Sequence, residues 1–205
     1  MRMVREFDIN SPTDLDVLLM ERPELQGRYV DLDTYYTPVG ATLALRQLAP
    51  LAGRLARAPE RLRVVTSSQL TPDMLKSADI VYVGYLSGLG LLREPVFARS
   101  RLEVGETFDE LIDRRTGTTY VSGAGAAPGD RPNRDYGYLA AFEGAAGNRF
   151  VIVAGARDIG VMQTAEMAAD NASLAQLRRG AFEVLYEVEG VGRTNLSARA
   201  VVTGP

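Results

Sequence analysis

The sequence predicts an α/β fold: a mostly parallel open sheet with flanking helices, Rossmann-like and three-layered, with a β-hairpin insertion and antiparallel strands at the C-terminus. Three observations predict it. Between residues 28 and 85 strand-like and helix-like segments alternate, the pattern of parallel strands joined by right-handed crossovers. Residues 80–83, Ile-Val-Tyr-Val, form an unbroken apolar run suited to a strand buried on both faces, and they lead straight into a glycine-rich loop at 84–90. The tail from Phe182 alternates apolar and charged residues, breaks at 190–195 and resumes to 202, which reads as a terminal hairpin. With 205 residues, 46% hydrophobic and 24% charged, the chain is read as one domain over 1–205, with an N-terminal arm at 1–10 and a hairpin-and-loop excursion at 95–135.

The helix starts share one device. Ser11-Pro12, Thr37-Pro38 and Thr71-Pro72 each offer a hydroxyl as N-cap and a proline at the first helical position. Asp14 and Asp73 then place a carboxylate in the first turn, where the helix dipole favours it. The first helix is expected over 12–20, stopping before Pro23. A strand follows at 28–34 and a second helix from Pro38 to a kink or break at Pro50, with a further helical piece over 51–57. Residues 62–66 read as the next strand and 72–77 as a short helix.

Beyond residue 92 the helical period disappears. Residues 108–113 and 118–121 flank Arg-Arg-Thr-Gly and read as a hairpin with Gly117 in the left-handed position. Residues 123–135 are rich in Gly, Ala and Pro and read as a long loop, disordered or a lid. Residues 136–142 and 150–154 are two further strands, antiparallel neighbours. A helix over 161–178 ends at Gly180.

Composition narrows the chemistry. The chain has no cysteine and no histidine, so thiolate nucleophiles, cysteine zinc sites and the usual histidine base are absent. Lys76 is the one lysine, and the preference for arginine reads as the codon bias of a GC-rich bacterial genome. A net charge of −3 and a pI near 5.2 argue against direct nucleic-acid binding. No run approaches the roughly 18–20 apolar residues of a membrane span, and no signal peptide opens the chain. A soluble, cytoplasmic protein without a cofactor is the expectation.

The candidate site is the carboxyl edge of the expected parallel sheet, where open α/β folds bind ligands. Four loops would meet there, two of them helix N-termini with amides suited to an anion. They carry Tyr36 and Thr37, Ser67, Tyr85 with Ser87 and Gly88, and Arg157 with Asp158. Named nucleotide motifs fail: Arg93 stands where Gly88-Leu-Gly90 would need a third glycine, and Val161-Met162 replaces the lysine and hydroxyl of a phosphate loop.

The leading expectation is a non-catalytic ligand-sensing or regulatory domain for a small polar or anionic molecule, a module that a longer protein could carry. A carboxylate- or metal-dependent hydrolase or phosphoryl-transfer enzyme is the alternative, using Asp31 and Asp33 two apart on one strand face. Ser87 as a nucleophile would need Lys76 or a carboxylate as its base. Glu106, Asp109, Glu110 and Asp113 read as surface charge around the hairpin. A third reading is a protein-interaction domain in which the terminal hairpin pairs with a second copy or another domain.

Overall fold

The structure, a computed structural model, describes residues 12–28, 37–55, 62–124, 131–170 and 180–204. The chain forms two compact units, Met1–Tyr36 and Thr37–Pro205. In the first, helix α1 (Pro12–Glu21) opens on its proline with Asp14 in the first turn, and Leu15, Leu18 and Leu19 form its half-buried side. A short 3₁₀ turn at Pro23–Leu25 comes next and buries Leu25. Of the expected strand at 28–34, residues 29–34, with Asp31 and Asp33, lie outside the described residues.

The second unit is built on a five-stranded mixed sheet. Its strands are β1 (Ile80–Tyr85), β5 (Pro132–Glu143), β6 (Arg149–Gly155), β7 (Phe182–Val191) and β8 (Thr194–Gly204), in the order β1-β6-β5-β7-β8. Only β1 and β6 run parallel, Tyr82 opposite Ile152 and Tyr85 opposite Gly155; every other described pairing is antiparallel. A mostly parallel, Rossmann-like sheet is therefore not what the chain forms. The alternation over 28–85 misleads because only one of its segments, β1, is a described strand. Residues 62–66 pair with no described strand and are exposed, Val64 by 75%. The run at 80–83 is not central either. Among the described residues β1 has a single neighbour, and Val81 is 56% exposed.

Tight turns make two of the antiparallel pairs. Gly147 (φ +80°) closes β5 onto β6, and Gly192 (φ +58°) closes β7 onto β8. β5 begins at Pro132, so the end of the expected loop at 123–135 is strand, and Asp135 within it is fully buried. Residues 125–130 lie outside the described part.

Helices α2 (Val39–Leu55) and α5 (Asp158–Ala169) cover one face of the sheet. Ala41, Ala44 and Leu48 of α2 and Ile159, Val161, Ala165 and Ala168 of α5 pack with Leu139, Val153, Tyr186 and Val188. α2 runs through Pro50 without a break. α5 opens three residues earlier than expected and ends at Ala169, where Asp170 turns to extended backbone; residues 171–179 lie outside the described part. Glycine lets α5 lie close on the sheet. Gly137 and Gly155 are opposite each other, and a Cβ on either would stand 2.1 Å from the Thr164 hydroxyl or 2.3 Å from the Val161 amide.

The other face carries short elements. A second sheet, β2 (Leu102–Val104), β3 (Glu110–Asp113) and β4 (Thr119–Val121), is antiparallel in the order β2-β3-β4, and Gly117 (φ +72°) lies between β3 and β4. Helix α4 (Arg93–Phe97) packs beside β2, and α3 (Pro72–Ser77) lies by the β5–β6 turn, where Asn148 donates to the Leu75 and Ala78 carbonyls at 2.9 and 2.6 Å. Thr71 caps α3 by accepting from the Met74 amide at 3.3 Å. The glycine-rich stretch at 84–92 forms two consecutive 3₁₀ turns, and Leu86, Leu89 and Leu92 point from one side of them into the core. Gly90 takes φ +52° between the two turns, so the shared inward side of the three leucines comes from two separate turns and not from one continuous 3₁₀ period. The leucines meet Tyr136, Tyr138, Ala140 and Phe142 of β5 and Phe150 and Ile152 of β6.

Because both faces are covered, the alternation of β7 is not apolar-in, charged-out. Glu183 and Glu187 lie on the short-element face and are buried. Glu183 accepts from the Ser100 hydroxyl (2.6 Å), the Arg101 amide (2.7 Å) and the Tyr138 hydroxyl (2.9 Å). Glu187 accepts from Tyr136 (3.1 Å) and twice from Arg199 (2.9 and 2.6 Å). Asp113 is not surface charge: it is fully buried, held by a forked pair with Arg101 and by the Arg115 amide at 2.9 Å. Among the described residues no helix is long and apolar enough to cross a membrane.

The Arg101 hydrogen bonds hold the Asp113 carboxyl far below its usual range. For Glu187 burial pulls upward, but Arg199 and Tyr136 outweigh it and the net shift is downward. A carboxyl with a lowered folded pKa binds protons more tightly when unfolded. Its stabilisation is therefore complete above the unfolded values, about 3.9 for Asp and 4.3 for Glu, and is lost as pH falls through the folded one. Asp113→Asn should destabilise the fold at pH 7, and its deficit against the parent in urea unfolding should narrow as pH drops below about 4. A deficit equal at pH 7 and pH 2.5 would refute the pairing.

Candidate functional site

The parallel pair β1–β6 brings the carboxyl ends of two strands together, and the residues at those ends border a cleft of about 530 Å³. Tyr85 ends β1; Arg157, Asp158 and Ile159 open α5; Gly192 and Arg193 form the β7–β8 turn; Ala124 closes the side. The free amides expected at this helix start are not all free. The Asp135 carboxylate lies beneath the first turn, where Oδ2 accepts from the Gly160 amide (2.7 Å) and Oδ1 from the Ser122 hydroxyl and the Tyr136 amide (2.8 Å each). Burial raises the Asp135 pKa, and the bonds from Gly160, Ser122 and Tyr136 pull against it. The protein thus places a carboxyl group of its own at the α5 N-terminus.

Asp158 does two jobs with its two oxygens. Oδ1 accepts from the Tyr85 hydroxyl at 2.6 Å and from the Gly40 amide at 2.8 Å, which ties the first turn of α2 to that of α5. Residue 40 must be glycine for this approach, since a Cβ there would stand 2.6 Å from Oδ1. Oδ2 faces Arg193, whose Nε lies 3.4 Å away with the side chain 59% exposed. A charge-assisted N–H···O bond is normally about 2.7–2.9 Å, so this pair is loose. Burial, helped by the Asp158 hydrogen bond, raises the Tyr85 pKa, and the phenol stays protonated at neutral pH.

Arg157 is committed elsewhere. Its Nε and Nη2 donate to Asp109 at 2.8 and 2.6 Å, a forked pair that raises the Arg157 pKa and links α5 to the turn before β3. Asp109 is thus a partner of the site rather than loose surface charge.

Of the residues singled out in the sequence, Tyr85, Arg157 and Asp158 line the cleft; Thr37, Ser67, Ser87 and Gly88 do not. Thr37 is exposed ahead of α2. Ser67 is exposed and opens a 3₁₀ turn (Ser67–Gln69) closed by a Thr66–Gln69 capping box. Ser87 is exposed on the outer side of the leucine-bearing turn, and Gly88 lies where a Cβ would meet the Tyr82 hydroxyl at 2.8 Å. Tyr36 lies outside the described residues, as do Asp31 and Asp33. Among the described residues no three acidic side chains converge as a metal cage.

Sequence reasoning does not reach Arg193, Ile159, Gly40 or Asp135. Arg193 has a signal only as the polar tip of a hairpin turn, and nothing local says that this tip ends beside α5. A smaller hollow of about 160 Å³ lies between α4 and β5, where Ser100, Tyr138 and Arg101 already engage Glu183. No family model matches the chain, and no curated protein or solved structure is significantly similar to it.

The leucine turn separates packing from binding. Leu89→Ala should cost about 2–5 kcal/mol in urea unfolding, whereas Ser87→Ala should stay within about 0.5 kcal/mol. A Leu89 variant as stable as the parent would mean that this turn does not close the core.

Proposed function

We propose that the domain is a non-catalytic binding module for a small polar molecule bearing an anionic group, held in the cleft between Tyr85, Asp158 and Arg193. The observation that carries this reading is Arg193. It is a cation more than half exposed, on a tight turn, loosely paired at 3.4 Å over a cleft whose other charged groups are fixed. Arginine presents a planar fork that matches a carboxylate or phosphate, and a bond to a charged group contributes about 1.5–3 kcal/mol.

Binding is favoured over catalysis by what the neighbours are occupied with. Tyr85 is held protonated, one oxygen of Asp158 is spent on Gly40 and Tyr85, and Arg157 is spent on Asp109. Among the described residues of the cleft none is left as an activated nucleophile with a base beside it. The terminal hairpin contributes its tip, Gly192 and Arg193, and its strands get no pairing role with a second chain in this proposal, because β7 is buried within the sheet and β8 departs twice from regular register along its edge.

A thermal-shift screen with acetate, succinate, inorganic phosphate and the free amino acids tests the proposal. A compound at a hundred times its Kd should stabilise the fold by about 2.7 kcal/mol, and Arg193→Ala should abolish the shift. No stabilisation by any of these, or one indifferent to Arg193→Ala, would sink it.

A further inference from the structure

We infer that the cleft takes a zwitterion, a free α-amino acid, with its carboxylate on Arg193 and its ammonium on Oδ2 of Asp158; this rests on the cleft being the binding site proposed above. The argument begins with charge. Arg157 and Asp109 form one closed pair, and Arg193 and Asp158 form one open pair. Among the described residues the charged side chains that line the cleft, with the partner of Arg157, therefore balance, two of each sign; Asp135 lies beneath them with its oxygens taken by Gly160, Ser122 and Tyr136. A plain anion drawn to Arg193 would take away the Asp158 counter-charge and leave that half-buried carboxylate facing the anion. A plain cation on Asp158 would strand Arg193 in the same way. A molecule carrying both charges exchanges one ion pair for two and leaves none unmatched.

Geometry agrees with this count. Oδ1 of Asp158 is fixed by Tyr85 and Gly40, so the carboxylate cannot swing to meet Arg193. Among the described residues the partner of Oδ2 is Arg193 alone, at a distance too long for a strong charge-assisted bond. The two groups also come from different elements, Asp158 from the first turn of α5 and Arg193 from the β7–β8 turn. A rigid acceptor and a turn-borne donor side by side suit ammonium and carboxylate groups that share one carbon. The α5 amides are not the attraction, since Gly160 is already bonded to Asp135. Both remaining charges in the described wall, Arg157 and its partner Asp109, are matched, so among the described residues the cleft offers no partner for a charged ligand side chain. Tyr85, Ala124, Ile159 and Gly192 supply its uncharged wall. The ligand class is an α-amino acid with an uncharged side chain.

Isothermal titration of the whole chain with the twenty amino acids, then with the N-acetyl and methyl-ester forms of the best binder, tests the inference. The free amino acid should bind, and each blocked form should bind at least tenfold more weakly, since each lacks one charge. Arg193→Gln should weaken the amino acid tenfold or more, with an unchanged far-ultraviolet circular dichroism spectrum. Asp158→Asn should weaken the amino acid and not acetate; should that variant fail to fold, the blocked ligands carry the same test. If acetate, phosphate or the N-acetyl form binds as tightly as the free amino acid and needs Arg193, the cleft is an anion site and the zwitterion is refuted while the proposed function stands. If nothing binds, both fall.

Discussion

The close seating of α5 on the sheet is the constraint on which the rest of the unit depends. Two glycines opposite each other in β5 and β6, Gly137 and Gly155, remove the side chains that would hold the helix away. Thr164 then reaches the Ala154 carbonyl at 3.0 Å, and Asp135 reaches the Gly160 amide at 2.7 Å. Such a contact leaves no room for water, so each polar group in it must find a protein partner. Asp135 is the costly member, a carboxylate with no exposure, and three short donors surround it. With the first turn of α5 pinned this way, Asp158 faces α2 on one side and the β7–β8 turn on the other. The cleft is a consequence of that seating.

The opposite face solves a different problem with the same means. A sheet covered on both sides should read as apolar throughout, yet β7 sends Glu183 and Glu187 into the covered face. They meet tyrosine hydroxyls of β5, the Ser100 hydroxyl and arginine, so each charge is solvated by fixed donors in place of water. Asp113 does likewise in the small sheet with Arg101. Buried pairs of this kind contribute little net stability compared with an apolar core, but removing one partner is costly. They fix register: a one-residue slip of β7 would send both carboxylates to the α2–α5 face, where Leu139, Val153 and Val161 offer no donor.

Short-range signals are legible in the sequence, and long-range pairing is not. Thr71-Pro72 marks a helix start because N-capping is a local affair, and Gly117 marks a turn because a left-handed residue is local as well. The alternation at 136–142 and the run at 150–154 point to two strands for the same reason. Which strands pair, and in which direction, depends on residues far apart in the chain. An alternation of strand-like and helix-like segments therefore reads as a parallel sheet, although 62–66 joins no described strand. The site divides the same way. Tyr85, Arg157 and Asp158 come directly after strands or at their ends and can be proposed from position alone. Asp109, Asp135 and Arg193 belong to the site through partners between 25 and 48 residues away, which no window of sequence displays.

The division of the cleft into fixed and adjustable groups bears on how it would work. An exposed arginine gives up about 2 kcal/mol of rotamer freedom when it is held, comparable to what one charged contact returns. Arg193 avoids part of that cost because Asp158 already draws it over the cleft without gripping it. Asp158 in turn needs no reorganisation, since Tyr85 and Gly40 hold its plane. A tight Arg193–Asp158 pair would compete with any ligand for the same atoms, and a distant one would leave the arginine to be ordered from scratch. The 3.4 Å separation lies between the two, near enough to orient the guanidinium and long enough for a ligand's charges to replace the contact.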